Sequence, residues 1–175
     1  MTSITQFKTA LVNGGARANQ FEVFLHTPPG VQNINANVQF LVEAASLPGS
    51  SINPTVTMYR GREVKLAGER RFDNWSVTVI NDSAFSIHSV IEKWMNYIND
   101  LSENTGQATP GLYTADLRVN QLDRNSVALK GYKIVHAWPV AMSPIQLGYD
   151  QNDVIERFSV EFTYDWFEPS TIFSI

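Results

Sequence analysis

The stretch that decides the fold is VIERFSVEFTYDWF, residues 154–167, in which apolar and polar side chains alternate. Because side chains on a strand point to opposite faces in turn, the pattern predicts one long strand with an apolar face and a polar face. The apolar face comprises Val154, Phe158, Val160, Phe162, Tyr164 and Trp166, with Glu156 as its one polar member. The polar face comprises Arg157, Ser159, Glu161, Thr163 and Asp165. A strand spanning about 45 Å, at about 3.3 Å per residue, predicts a large antiparallel sheet that is packed on one side.

Composition places limits on fold and function. A length of 175 residues predicts a single domain, 1–175. Charged residues make up 17% of the chain, below the usual quarter, which suggests that partner subunits cover part of the surface. The chain has no cysteine, which excludes disulfides and thiol-based metal or redox sites. The net charge of −4 argues against a general nucleic-acid-binding surface.

The sequence has no recognisable targeting or membrane segment. Residues 1–20 contain no run of seven apolar residues and carry Lys8 and Arg17, unlike a secretory signal. No run approaches the eighteen apolar residues that a membrane helix needs. We therefore expect the chain to be made and folded in the cytosol and not to insert into a membrane.

Further alternating segments predict additional strands. They cover residues 21–25, 38–47, 75–79, 112–122 and 127–137, and Trp138-Pro139 is expected to end the last of them. Residues 56–59 and 62–66 flank Arg60-Gly61, which is typical of a hairpin with a tight turn. The surrounding stretch shows little periodicity, so we expect a protruding loop, about 50–74, without an apolar face of its own. Such a loop should be mobile in the free subunit and ordered after assembly.

Helical periodicity is strong at one place. Residues 84–101 carry apolar side chains within about 100° of arc, and Asp82 or Ser83 is expected to be the N-cap. A shorter helix is predicted at residues 5–12, before the breaker Asn13-Gly14-Gly15. With seven or eight strands, the sequence predicts a mainly β, antiparallel β-sandwich or barrel with one flanking α-helix and an extended hairpin loop.

Candidate sites for chemistry are weak. His26, His88 and His136 form no close pair along the chain, and packed or surface positions are the simpler interpretation. Asp150, Asn152 and Asp153 offer oxygen ligands but lack the frame of a calcium loop. Glycine-rich nucleotide loops and nucleophile elbows are absent from the sequence. The sequence therefore assigns no catalytic, metal or cofactor-binding residue, and an enzyme is the least favoured class.

Charge is unusually distributed between residues 60 and 71. This segment has a net charge of +3, while the rest of the chain holds 8 basic and 15 acidic residues, net −7. A basic arm on an acidic body would let copies join head to tail. A solvated hairpin and a phosphate-binding segment are the alternatives. The charged residues are Arg60, Arg62, Glu63, Lys65, Glu69, Arg70 and Arg71.

Four stretches of the chain, taken in order, carry a resemblance to a known protein family. The first is ARANQFEV at 16–23, and the second combines LPG at 47–49 with YRGR at 59–62. The third is LAGERRFDNWSVTVIND at 66–82, which leads into the helix that contains Trp94. The fourth is PIQLGYD at 144–150, which leads into residues 158–165. Together these stretches resemble the tail tube proteins of contractile-tailed bacteriophages. The segment 108–137 contains no stretch that carries this resemblance.

The resemblance implies a non-enzymatic structural subunit of the virion tail, assembled in the bacterial host cytoplasm. Six copies would form a ring, and rings would stack into a hollow tube inside a contractile sheath. Further partners implied are a tape-measure protein, the baseplate and tail terminator proteins, and DNA that passes transiently during ejection. The loop 50–74 would reach a neighbouring copy, which makes Arg60, Arg62, Lys65, Glu69, Arg70 and Arg71 the expected contact residues.

The resemblance also implies a lumen-lining β-barrel shared among subunits. The face with Ser159, Glu161, Thr163 and Asp165 is then expected to line the bore, where acidic and small polar groups would repel phosphate. The inner tube of a type VI secretion system or of a phage-derived injection machine is an alternative with the same fold. A carbohydrate-binding β-sandwich is an alternative from another class, and it predicts an exposed aromatic platform on a monomer.

Overall fold

The computed structural model describes residues 3–11, 15–34 and 41–170. This part of the chain contains nine strands and three helices. The helices are α1 (Ile4–Ala10), α2 (Ser86–Ile98) and α3 (Pro110–Tyr113). The strands are β1 (Phe21–Phe24), β2 (Val42–Ala45), β3 (Ser50–Tyr59), β4 (Arg62–Phe72), β5 (Trp75–Ile80), β6 (Ala115–Leu122), β7 (Ala128–Met142), β8 (Arg157–Thr163) and β9 (Trp166–Ser170).

Seven of the strands form one curved antiparallel sheet that divides along β7. The order is β1-β6-β7-β8-β5-β2, and β9 also pairs with β7. The first part of β7 pairs with β6 and β9, and these strands together with β1 are called sheet A below. The end of β7 pairs with β8, and these strands together with β5 and β2 are called sheet B. The predicted antiparallel architecture is therefore confirmed, with β3 and β4 forming a separate hairpin.

The core lies between the sheets and α2. Trp75, Trp94 and Phe162 are each at most 1% exposed and pack with ring centroids 5.9 to 6.1 Å apart. Both indole N–H groups are satisfied: Trp75 Nε1 donates to the Ser46 carbonyl at 2.6 Å, and Trp94 Nε1 donates to the Tyr113 carbonyl at 2.7 Å. This pairing matters because an unpaired buried donor would be costly.

The expectation of one uninterrupted strand over 154–167 is wrong. Residues 154–156 belong to a loop, and the strand breaks at Tyr164 and Asp165 between β8 and β9. The break faces a bulge in β7, where Val135 and His136 together oppose Asp116 of β6. His136 has φ +55° there, a left-handed conformation typical of a bulge residue. The apolar alternation holds from Phe158 to Tyr164, all of which are buried on that face, whereas Val154 and Trp166 are exposed.

The longest strand is β7, which continues through Trp138-Pro139 where the sequence predicted a stop. Pro139 pairs with Phe162 of β8, next to a second register shift. A proline lacks the N–H that a central strand needs, but it is tolerated at bulges and edges. β6 pairs with β7 only as far as Ala137, so the other side of Pro139 is an edge.

Helix α2 is shorter than predicted. Its buried side chains are Ile87, Val90, Ile91 and Trp94, which confirms the apolar stripe, but Leu101 lies beyond its end and is 95% exposed. The N-cap position is Phe85, with φ +52°. Asp82 still serves the helix start, because its carboxylate accepts from the backbone N–H and the hydroxyl of Ser86 at 2.8 and 2.7 Å.

Other boundaries shift by a few residues. The short α3, which begins at Pro110, includes the first two residues of the segment predicted as strand 112–122, so β6 begins only at Ala115. The predicted strand 38–47 is reduced to β2, and its first three residues lie outside the described part, as do Val12, Asn13 and Gly14. Within the described part, no helix is long and apolar enough to cross a membrane.

Candidate assembly surface

The hairpin of β3 and β4, residues 50–72, is called the arm below. Its turn residues Arg60 and Gly61 both have positive φ, +48° and +78°. Two successive left-handed residues are typical of a type I′ turn, whose twist matches that of the flanking strands. The predicted hairpin and its turn are thus confirmed, and the strands extend well beyond the residues predicted for them.

Nearly every residue of the arm is exposed. Among the described helices and strands, β3 and β4 contact each other extensively and no other element to a comparable extent. Side chains directly opposite in an antiparallel pair share a face, and β3 places Ile52, Val56 and Met58 on the same face, each more than half exposed. The arm therefore has an apolar row, contrary to the expectation that it lacks an apolar face. An exposed apolar row of this kind is typical of a surface that binds another molecule.

The predicted contact residues all lie on the arm, but they are divided between its two faces. Lys65 lies opposite Val56 and Arg70 opposite Ile52, on the face with the apolar row. Arg62 and Arg71 lie on the other face, and Arg60 is in the turn. Within the arm the charges are weakly neutralised, since Lys65 and Glu63 are 3.8 Å apart and exposed.

A bulge near the arm's base depends on Gly68. The register shifts between Ile52 and Pro54, so that Gly68 and Glu69 together oppose Asn53. A Cβ on Gly68 would lie 2.4 Å from the Asn53 carbonyl oxygen, which is closer than atoms can approach. Glu69 is therefore placed by the bulge and has no residue of its own directly opposite.

The root of the arm is anchored to the core by aromatic packing. The Phe72 ring lies 5.9 Å from that of Tyr164 and 5.5 Å from that of Phe167. Burial of the Tyr164 hydroxyl, together with the charge of Asp73, raises the pKa of Tyr164 above its usual 10.0. Only Asp73 and Asn74 separate β4 from β5, so the arm leaves directly from sheet B.

Small hydroxyl groups line the polar face of sheet B. Ser159 lies opposite Thr78, with their hydroxyl oxygens 3.2 Å apart, and Glu161 lies opposite Ser76. Thr163 follows on the same face of β8. The face therefore combines neutral hydroxyls with one exposed carboxylate. Next to it, Arg157 Nε donates to the Glu43 carboxylate at 2.5 Å.

Asp165 does not join that face. It lies at the strand break, where its carboxylate is 2.8 Å from His136 Nδ1. Nearby, Lys133 Nζ lies 2.8 Å from the Asp116 carboxylate, which also accepts from the His136 backbone N–H at 3.2 Å. Of the four residues predicted to line the bore, Ser159, Glu161 and Thr163 therefore share one face of β8. Asp165 lies apart from them, at the bulge.

The Asp116 carboxyl is held in its charged form. Partial burial raises its pKa, but hydrogen bonds from Lys133 and from His136, together with the Lys133 charge, outweigh that effect. The net pKa of Asp116 is lowered from 3.8. The ion pair is consequently a fixed part of the β6–β7 ladder at neutral pH.

The histidines do not converge. His88 packs edge-on against Phe158, with ring centroids 5.1 Å apart, and lies 3.6 Å from Glu92. His26 is exposed. In the described ranges, no group of three or more metal-ligating side chains comes together.

Asp150, Asn152 and Asp153 lie in the exposed turn region of the loop between β7 and β8, which consists of two short turns. Asp153 has φ +61°. From the sequence, these residues were only a weak candidate for a calcium-binding loop. The signal that was missed is the set of apolar residues next to it, Leu147, Tyr149, Val154 and Ile155, all of them exposed.

Comparison with protein families gives one match across most of the chain. Residues 16–169 match the model of the phage tail tube protein family. The tail tube protein gp19 of Enterobacteria phage T4 is 27% identical over 154 residues, covering 87% of this chain and 91% of that protein.

Solved structures of contractile injection machines share the fold. A chain of the anti-feeding prophage baseplate, 6-fold symmetrised, superposes with a TM-score of 0.65 at 14% identity, covering 89% of this chain and 95% of that one. A chain of the sheath-tube complex of an extracellular contractile injection system superposes with a TM-score of 0.58 at 14% identity. That match covers 98% of this chain and 100% of the other.

Proposed function

This chain belongs to the phage tail tube protein family, and from that membership we propose how its surfaces are used. It is a structural subunit of the tail tube in the virion. We propose that six copies form a ring and that rings stack into a hollow tube inside a contractile sheath, which serves as the conduit for DNA ejection. The observation that carries this proposal is the exposed arm, whose apolar row is left uncovered by the described residues of a single copy.

Open sheet edges support closure into a ring. Among the described strands, β1, β2 and β9 each have a single neighbour. Unpaired edges invite association with other chains, and joining them around a ring would leave none exposed. The similar chain in the anti-feeding prophage baseplate belongs to a 6-fold symmetrised assembly, which supports six as the ring number.

The arm is proposed to hold neighbouring copies together. Its contact residues are Arg60, Arg62, Lys65, Glu69, Arg70 and Arg71, with the apolar row beside them. The arm should exchange amide hydrogens quickly in the free subunit, because almost none of it is buried. Slower exchange after assembly is expected, and equal protection in both states would contradict the proposal.

The polar face of sheet B is proposed to line the bore, with Ser159, Glu161 and Thr163 on the ladder and Asp165 at its end. Neutral hydroxyls and carboxylates do not attract phosphates, so DNA would slide without sticking. The single arginine at this face, Arg157, is paired with Glu43.

The outer partners are proposed from the assemblies in which similar chains occur. One lies in a sheath-tube complex and others in a baseplate and in a sheath/tube terminator. We propose a sheath, a baseplate and a terminator as partners of this chain, and a tape-measure protein within the bore. The role is proposed to involve no catalysis.

Negative-stain microscopy of the purified protein tests the proposal directly. The parent should form annuli or hollow rods. The variant R70E/R71E should fold normally but assemble poorly, because like charges would meet at the contact. A matched control, K8E/R124E, reverses two exposed basic residues outside the arm and should assemble like the parent. A parent that stays monomeric at every concentration, or an R70E/R71E variant that assembles equally well, would contradict the proposal.

A cysteine probe tests the bore assignment, since the parent has no cysteine. In assembled tubes, E161C should react much more slowly with a bulky polymer maleimide than E103C, because the reagent must enter through the tube ends. Both variants should react alike as free subunits. Equal rates in the tube would place the Glu161 face outside the bore.

The inner tube of a secretion or injection machine remains the alternative, because it shares this fold. The similar structures from such machines are 14% identical and bear on the fold alone. A capsid gene beside the gene for this chain would favour the phage tail.

A further inference from the structure

The loop between β7 and β8, residues 143–156, is called the acidic loop below, and it has the features of a binding surface. It contains Asp150, Asp153 and Glu156 and no basic residue, net −3. Residues 146–155 are all exposed. Four of these are large apolar side chains: Leu147, Tyr149, Val154 and Ile155, exposed by 57 to 109%. Exposed apolar side chains grouped with one sign of charge are typical of an interaction site.

The acidic loop complements the arm both in charge and in exposed apolar surface. The arm, residues 50–72, has a net charge of +3 and carries the apolar row of Ile52, Val56 and Met58. In the described part of the chain, neither Asp150 nor Asp153 belongs to an ion pair. Opposite charges on two exposed surfaces steer association and fix its register, and the apolar side chains supply buried area.

The two segments join sheet B at opposite ends of the same strand pair. Trp75, just after the arm, lies opposite Phe162, whereas Ile80 lies opposite Arg157, just after the acidic loop. Ser143, where the loop begins, donates its backbone N–H to the Ser159 carbonyl at 2.8 Å and so lies near the same end. The attachment points are therefore about 17 Å apart, at about 3.3 Å per residue. Complementary surfaces at opposite ends of a subunit generate head-to-tail contacts.

We propose that the arm of one copy docks on the acidic loop of the next copy along the tube. The apolar row of the arm packs against Leu147 and Tyr149, and the two basic residues on the same face of the arm, Lys65 and Arg70, face Asp150 and Asp153. This proposal rests on the proposed tube function and specifies the surface that receives the arm.

A charge-reversal cycle tests the pairing. The loop variant D150K/Q151K/N152K changes the acidic loop from −3 to +1 and leaves Asp153, with its positive φ, untouched. The arm variant K65E/R70E, which reverses the two basic residues on the face of the apolar row, changes the arm from +3 to −1. We expect each to raise the critical concentration for tube formation by about tenfold or more, and the combined five-residue variant to return it to within about threefold of the parent. An equimolar mixture of the two singly reversed proteins should also assemble.

The control variant E103K/T105K/A108K makes the same change of charge in another exposed loop and should assemble like the parent. Far-UV circular dichroism and thermal unfolding establish that each variant is folded. Failure of the parent to assemble would count against the tube function itself. Assembly of the parent together with normal assembly of the loop variant would overturn only the proposed receptor, as would a combined variant that is folded but does not recover.

Cross-linking provides a second measurement that does not depend on the loop variant folding. In the cysteine-free background, M58C/Y149C treated with a bismaleimide should give a ladder of covalent oligomers beyond the dimer. Each single variant should stop at the dimer, because it offers only one reactive position. Absence of the ladder from assembled tubes of M58C/Y149C would overturn the proposal.

Discussion

The arm and the β5–β8 pair are both regular antiparallel ladders, yet they differ completely in burial. On β5 and β8, Trp75 faces Phe162, and both are at most 1% exposed. On the arm, Met58 faces Glu63, and both are exposed. Both are paired along most of their length, so the presence of backbone pairing does not explain which ladder is stable alone. The comparison teaches that the β5–β8 ladder is stabilised by the core beneath it, whereas the arm buries almost nothing of its own, which is the reason for proposing another copy as its partner.

The largest expected change in the free energy of unfolding comes from a substitution in the buried β5–β8 ladder. F162A removes a ring that packs against Trp75 and Trp94, and such a cavity should lower the free energy of unfolding by about 3–5 kcal/mol. Chemical denaturation of the free subunit measures it. The matched change on the arm, M58A, should alter the free energy of unfolding by less than about 0.5 kcal/mol. Similar losses for the two would show that the arm is part of the cooperative core.

A smaller effect is expected from G68A, which should disturb the arm alone. The added Cβ meets the Asn53 carbonyl, so the hairpin should lose about 1–3 kcal/mol of local stability. Hydrogen exchange should show faster exchange throughout β3 and β4 and unchanged protection in β5 and β8. G49A is a suitable control, since nothing lies within 4 Å of its added Cβ. Loss of protection in both ladders would show that they unfold together.

The smallest effect concerns the ion pair at the strand bulge. The pKa of Asp116 is lowered in the folded state, so its stabilisation is present above the unfolded pKa of about 3.9 and is lost as pH falls through the lower folded value. D116N should therefore flatten the acid limb of the stability curve by at most about 1 kcal/mol, because the pair is partly exposed. Urea unfolding of the parent and of D116N between pH 7 and pH 2.5 measures this difference in the acid limb. An unchanged acid limb would show that Asp116 contributes nothing.

Local patterns in the sequence were sufficient for the elements that bury one face and for the tight turn of the arm. The stripe of α2, the alternation of Phe158 to Tyr164 and the turn at Arg60-Gly61 are each encoded by neighbouring residues. The break at Tyr164-Asp165 was not predictable in this way. It depends on a bulge at His136, which lies almost thirty residues earlier and meets β8 and β9 only in the folded sheet.

The candidate surfaces also combine features that neighbouring residues encode with features that only the folded sheet brings together. The basic residues of the arm are close together along the chain, so the amino-acid sequence alone reveals their charge. The apolar row was hidden, because Ile52, Val56 and Met58 are separated by polar residues and become one surface only when β3 is extended. In the sequence, only the carboxylates of the acidic loop were recognisable as a feature. Its placement opposite the arm is a property of the β5–β8 register.

Strand β7 gives the two sheets a common mechanical element. Its 15 residues run from the ladder with β6 and β9 into the ladder with β8 without interruption of the backbone. A load applied to either sheet is therefore carried to the other through covalent bonds, and side-chain packing does not have to transmit it. In a tube driven forward by contraction, we expect this continuity to make the two halves of each subunit advance as one body.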